Sequence, residues 1–150
     1  MKILIVEDDN YKLERIREFS ESVLGKLEVD TSSNLRDAKL AVNSRSYDLI
    51  YVDMAIPSHP TTAGQGAPVS FSTGGLAVIM ELAEIGRSDP CIIITQYPDI
   101  EISGQYIHIS LVKDKLPDLL ECEVAACILY ETDSMAWKEE LRRALEEMFL

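Results

Sequence analysis

The sequence predicts an α/β fold, a doubly wound five-stranded parallel sheet with helices on both faces. Two observations lead there. Several short runs are aliphatic or β-branched almost throughout, without in/out alternation, which is how strands covered on both faces read. The stretches between them carry apolar residues at three- and four-residue steps, the spacing of amphipathic helices. Strand and helix alternate to the C-terminus with no internal repeat.

The first strand is KILIV (2–6). Leu13, Ile16, Phe19 and Val23 then mark a helix, with Gly25 as its stop and Asp9 or Asn10 as its cap. LEVD (27–30) is a weaker strand that suits a sheet edge. Leu35, Ala38 and Val42 form the next helical stripe, after N-cap candidates at Ser32, Ser33 and Asn34. DLIYV (48–52) is the third strand. Residues 58–74 (SHPTTAGQGAPVSFSTG) are rich in Gly, Pro, Ser and Thr and read as a long loop. Leu76, Ile79, Met80, Leu82 and Ala83 form a helical stripe ended by Gly86, and CIII (91–94) is the fourth strand. Residues 98–123 are ambiguous. PDIEISGQYIHIS is β-branched and broken by glycine, whereas LVKDKLPDLLE is helical but contains Pro117. VAACILY (124–130) supplies the fifth strand, and Trp137, Leu141, Ala144, Leu145 and Met148 line one face of the last helix. Its other face offers Glu139–Arg143 and Arg142–Glu146 pairs, a solvated surface of small energetic worth.

Composition narrows the function. A chain of 150 residues, 47% apolar and 27% charged, is most simply one soluble domain. Its net charge of −12 argues against nucleic acid or an anionic membrane as a partner, since both repel an acidic surface. No apolar run approaches the roughly 20 residues of a membrane span, and the N-terminus lacks a signal-peptide layout, so the expected address is the cytoplasm. Cys91, Cys122 and Cys127 lack metal-ligand spacing and are expected to be reduced thiols, two of them in apolar runs. His59 and His108 are isolated from each other and from cysteine, and read as surface or loop residues.

In an open parallel sheet, ligands bind beyond the carboxyl ends of the strands. Glu7 and Asp8 stand at the end of the first strand, Asp53 at the end of the third, and Thr95 at the end of the fourth. Crowded carboxylates raise one another's pKa unless a cation intervenes, and a small hard divalent ion is the natural solution. A carboxylate held there can also act as a nucleophile toward a phosphoryl group.

MKILIVEDD, DLIYVDMAIP, the helix start GGLAVIMEL and CIIITQ together resemble the receiver domain of response regulators in two-component signalling. The resemblance runs from residue 1 to about residue 97, apart from 58–74. It implies a flavodoxin-like receiver fold in a single domain (1–150), and a signalling protein rather than an enzyme. It implies Asp53 as phosphoacceptor, Mg²⁺ on Glu7, Asp8, Asp53 and the Ala55 backbone carbonyl, and Thr95 as the residue that contacts the phosphoryl group and shifts with it. The implied partners are a histidine kinase or a small phosphodonor, and a downstream protein that reads the altered surface. A homodimer through the last strand and helix is a further arrangement the resemblance suggests.

Two departures stand out. Asp53 and Gly75 are 22 residues apart, more than twice the usual separation, so the extra chain enters beside the phosphorylation pocket. The family's Lys-Pro pair at the end of the fifth strand is also absent: VAACILY ends at Tyr130, followed by Glu131. A rival alignment takes IHISLVKDKL as the fifth strand and Lys113 as the lysine. VAACILY is the better buried strand, and the helix after it matches the family's last helix. The alternative function is a pseudo-receiver, an interaction module that keeps the fold without switching by phosphorylation. A Mg²⁺-dependent aspartyl phosphatase is the weaker reading, because Ala55 occupies the place of its second aspartate.

Overall fold

The computed structural model describes residues 1–60, 70–71 and 74–150. Five strands form one parallel sheet: β1 (Lys2–Val6), β2 (Glu28–Ser32), β3 (Leu49–Val52), β6 (Cys91–Thr95) and β9 (Ala126–Leu129), in the order β2-β1-β3-β6-β9. Two short antiparallel pairs lie outside it. One joins β4 (Ile56–Pro57) to β5 (Ser70–Phe71), the other β7 (Asp99–Ile102) to β8 (Gln105–His108). The helices are α1 (Asn10–Leu24), α2 (Leu35–Ser44), α3 (Gly74–Glu84), α4 (Ile109–Leu120) and α5 (Ala136–Phe149).

The five expected strands all form, and the sheet divides the apolar side chains between two cores. Leu4, Val6, Ile50, Val52, Cys91 and Ile93 pack toward α2, α3 and α4. Ile3, Ile5, Leu49, Tyr51, Ile92 and Ile94 pack toward α1 and α5. Alternate residues of each central strand are thus buried on opposite faces, which explains the unbroken apolar runs. Trp137 anchors the second core, 5.0 Å from the Tyr130 ring and 5.7 Å from Phe19 between centroids.

The helix ends follow local chemistry. Asp9 caps α1, its Oδ1 accepting from the N–H groups of Tyr11 (2.9 Å) and Lys12 (3.3 Å), while Asn10 is already the first helical residue. Gly25 ends α1 at φ 86°, where a side chain would be strained. Asn34 caps α2 by accepting from the Asp37 N–H at 2.8 Å.

Four readings change. In α3 the expected Leu76, Ile79 and Leu82 are buried, joined by Gly74, Gly75 and Val78, while Met80 and Ala83 face solvent. The ambiguous region resolves into the β7–β8 hairpin and α4. Ile100, Ile102 and Ile107 alternate inward, and the two-residue turn places Ser103 at φ 52° and Gly104 at φ 79°. The rival fifth strand is therefore overturned: IHISLVKDKL spans the end of that hairpin and the first two turns of α4, and Lys113 lies exposed on the helix. The expected loop at 58–74 lies mostly outside the described residues; within it, Ser70–Phe71 pairs with β4 and Gly74 already belongs to α3. On α5, neither Glu139–Arg143 nor Arg142–Glu146 closes to within 4.0 Å among the described residues, and Arg142 lies over the Phe19 ring instead, at 5.2 Å. Cys91 and Cys122 are buried, Cys127 is half-buried, and all three are free.

Candidate functional site

Strand register assembles the site. Val6 lies opposite Val52, and Val52 opposite Ile93, so the residues just beyond these strands meet at one end of the sheet. The backbone continues this alignment past the strands: Asp53 N–H donates to the Val6 carbonyl at 3.0 Å, and Glu7 N–H to the Ser32 carbonyl at 2.9 Å. Asp53 is therefore held beside Glu7 although the two lie 46 positions apart in sequence. One carboxylate oxygen from each of Glu7, Asp8 and Asp53 lies within 4.8 Å of the others. Glu7 and Asp53 are buried, whereas Asp8 is exposed.

The cluster lines an open cavity of about 320 Å³, with Ala55 on its wall and Gln96 and Tyr97 at the exposed side. Behind Asp53, α3 packs closely on the chain just beyond β3. Gly75 N–H donates to the Met54 carbonyl at 3.0 Å, and a Cβ on Gly75 would collide with the Asp53 carbonyl oxygen and the Val52 side chain. Only glycine lets α3 approach the chain just beyond β3 this closely.

Among the expected site residues, Thr95 does not line the cavity. It ends β6 as expected, but it is fully buried. Its Oγ1 accepts from the Tyr97 N–H at 3.4 Å, and its carbonyl oxygen accepts from the Tyr130 N–H at 2.7 Å. Tyr130 follows β9 and is buried, its ring packed on Trp137. Lys113 and Glu131 do not line the cavity. His59 is exposed with its Nδ1 at 2.8 Å from Ser58 Oγ, and exposed His108 caps α4 by accepting from the Ser110 N–H.

The residue that the sequence reading missed is Lys12. Its side chain leaves the first turn of α1 and runs inward, leaving the residue 1% exposed. The ammonium lies 2.8 Å from Glu7 Oε2 and 3.4 Å from Asp53 Oδ1, and donates to the Ile94 carbonyl at 2.9 Å. It also sits 5.4 Å from the centroid of the Tyr130 ring. A signal was present: Lys12 stands four residues before Ile16 and eight before Ser20, both buried, and so occupies the inward face of the helix.

The charges are imperfectly matched. Lys12 approaches Glu7 Oε2 and Asp53 Oδ1 at ion-pair distance, yet neither oxygen receives an aligned hydrogen bond. Glu7 Oε1 accepts from the Asp9 N–H at 3.1 Å. Burial pushes the Glu7 carboxyl up to about 8, with Lys12 pulling it down and Asp53 pushing it further up. Burial raises Asp8 as well, reinforced by Asp53 and Asp9. Three converging carboxylates, two of them buried and offset by a single ammonium, form a hard oxygen donor set suited to a divalent cation such as Mg²⁺.

Comparison with known proteins shows what the chain is similar to. No family model matches the chain. The Detocs response regulatory protein DtcB of Vibrio alginolyticus is 35% identical over 149 residues, covering 96% of this chain and 99% of that protein. Solved structures share the fold at lower identity. A CheY-like response-regulator receiver domain from Methylobacillus flagellatus is 17% identical with a TM-score of 0.56, over 99% of this chain and 98% of that one. The response regulatory domain of mrkE from Klebsiella pneumoniae is 16% identical with a TM-score of 0.63, over 99% and 94%. The receiver domain of the sensor histidine kinase PA1611 from Pseudomonas aeruginosa PAO1, solved with magnesium coordinated in its active-site cleft, is 16% identical with a TM-score of 0.59, over 98% and 95%.

Proposed function

The chain belongs to the response-regulator receiver family, and from that premise we propose that it accepts a phosphoryl group on Asp53 and signals through protein–protein binding. Glu7, Asp8 and Asp53, with the Ala55 carbonyl, would hold Mg²⁺, which supplies positive charge against the incoming phosphate oxygens. One observation carries the reading: the carboxylates of Glu7, Asp8 and Asp53 converge to within 4.8 Å at the carboxyl ends of β1 and β3, two of them buried.

With acetyl phosphate as donor, an Asp53 carboxylate oxygen attacks phosphorus. The new O–P bond forms as the bond from phosphorus to the acetyl oxygen breaks, and acetate leaves with that electron pair. A histidine kinase would donate in the same way from a phosphoimidazole. Glu7 keeps its place through the Asp9 N–H, and the Gly75 contact holds the Asp53 backbone against α3.

The pseudo-receiver remains the second reading, favoured by Tyr130 standing where the resemblance expects lysine. Incubation with Mg²⁺ and acetyl phosphate separates the two. Uptake of one phosphoryl group, lost in Asp53→Ala, is the expected result. Wild-type protein that binds Mg²⁺ but takes up no phosphoryl group overturns the phosphoacceptor reading in favour of the pseudo-receiver.

A further inference from the structure

We propose that Lys12, reaching from α1, is the cation that pairs with the phosphoryl group on Asp53. This rests on the phosphoacceptor reading above. Lys12 is the only lysine or arginine that lines the cavity among the described residues. It already touches Asp53 Oδ1 at 3.4 Å, from a side chain with almost no exposure.

Charge bookkeeping within the cavity explains why an ammonium belongs there. Glu7, Asp8 and Asp53 carry three negative charges when ionised, and Lys12 reduces the sum to two, which one divalent cation balances. Phosphorylation replaces the single charge of Asp53 by a phosphoryl group carrying close to two. Without Lys12, a buried dianion would face Glu7 and Asp8 with the divalent ion as its only counter-charge. With Lys12, the net charge left beside the divalent ion is close to one negative charge rather than two.

The geometry divides the two cations between two sides of Asp53. The ammonium is drawn toward β6 and β9 by the Ile94 carbonyl and the Tyr130 ring, whereas Asp8 lies beyond 4.0 Å of it. The Asp8 side therefore stays open to a metal ion. Lys12 is also preorganised: the capped first turn of α1 fixes its backbone, and the Ile94 carbonyl and Tyr130 ring hold its head. Tyr130 thereby acquires a role: its ring seats the ammonium. The bond to Ile94 also links the ammonium to the residue next to Thr95.

The test uses Lys12→Met, which keeps the aliphatic stem, and Lys12→Arg, which keeps the charge. Each is compared with wild type for Mg²⁺ affinity, for the rate of phosphoryl uptake from acetyl phosphate, and for affinity toward beryllium fluoride with Mg²⁺ present. In Lys12→Met, uptake and fluoride-complex affinity are expected to fall at least about tenfold, the loss typical of a charge-assisted hydrogen bond. Mg²⁺ is expected to bind at least as tightly as in wild type, because a competing cation is gone. Lys12→Arg is expected to recover most of the loss. A purely structural lysine would weaken Mg²⁺ binding together with the anion, and that outcome overturns the proposal. Uptake by Lys12→Met at the wild-type rate overturns it too while leaving Asp53 as phosphoacceptor. Wild-type protein that takes up neither probe sinks the phosphoacceptor reading itself. Lys12→Gln, still able to donate to the Ile94 carbonyl, is read in the same way if Lys12→Met fails to fold.

Discussion

Raising the pH of the metal-free protein from 4.5 to 8 is expected to cost stability through Glu7. In the unfolded chain this carboxyl titrates near its ordinary 4.5, whereas in the folded protein burial, opposed by Lys12 and reinforced by Asp53, pushes it to about 8. Between those values the unfolded chain is ionised while the folded protein retains the proton. Folding then takes up one proton, and stability falls as pH rises. The slope is about 1.4 kcal/mol per pH unit, so the loss across the window is on the order of 4 kcal/mol, with no further change from this group below 4.5 or above 8. For a chain of this length that corresponds to a fall in Tm of roughly 10 °C. The assay is urea unfolding in the presence of a chelator at pH 5, 6, 7 and 8, followed by the fluorescence of the single tryptophan, Trp137. Wild type is compared with Glu7→Gln, which cannot titrate, so that carboxylates remote from Glu7 cancel in the difference. The difference between the two curves is expected to follow the stated slope. A constant difference across the window would refute the reasoning, since Glu7 would then be ionised throughout and fully compensated by Lys12.

Two further substitutions probe the scaffold around the cavity. Gly75→Ala forces a methyl group against the Asp53 carbonyl and Val52, and is expected to lower urea stability by about 1–3 kcal/mol and to weaken Mg²⁺ binding by displacing Asp53. Unchanged stability would show that α3 can shift away freely. Asp9→Ala removes the cap of α1 and is expected to cost about 1 kcal/mol, read as a Tm lower by roughly 2–4 °C. An unchanged Tm would mean that the helix start is held from elsewhere.

The strands and the helix caps were legible because each depends on residues close together in sequence, and the acidic set because its members end strands whose carboxyl ends a parallel sheet brings together. KILIV, DLIYV and CIII are unbroken apolar runs, which only burial on both sheet faces satisfies. Asp9 and Asn34 announce helix starts by side-chain chemistry that acts within three residues. The β7–β8 hairpin was legible in principle, since Ile100, Ile102 and Ile107 alternate around Ser103–Gly104, but Ile109 and Val112 continue the apolar pattern into α4 and blur the boundary. On α3, Leu76, Ile79 and Leu82 were legible as buried, whereas Met80 is as apolar as its neighbours and only the seating of the helix, with Gly75 against Asp53, turns it outward.

The sequence by itself determined the five strands of the main sheet, most of the helices between them, and which carboxylates end the strands. It left Lys12 among the ordinary charges of an amphipathic helix. Only the tertiary structure decided that this lysine points inward, because the packing of α1 against β1 and β6 brings residue 12 to the carbonyl of residue 94, 82 positions away. A strand end can be read from a run of five residues. The partner of a buried charge depends on the crossing of elements that no local pattern encodes.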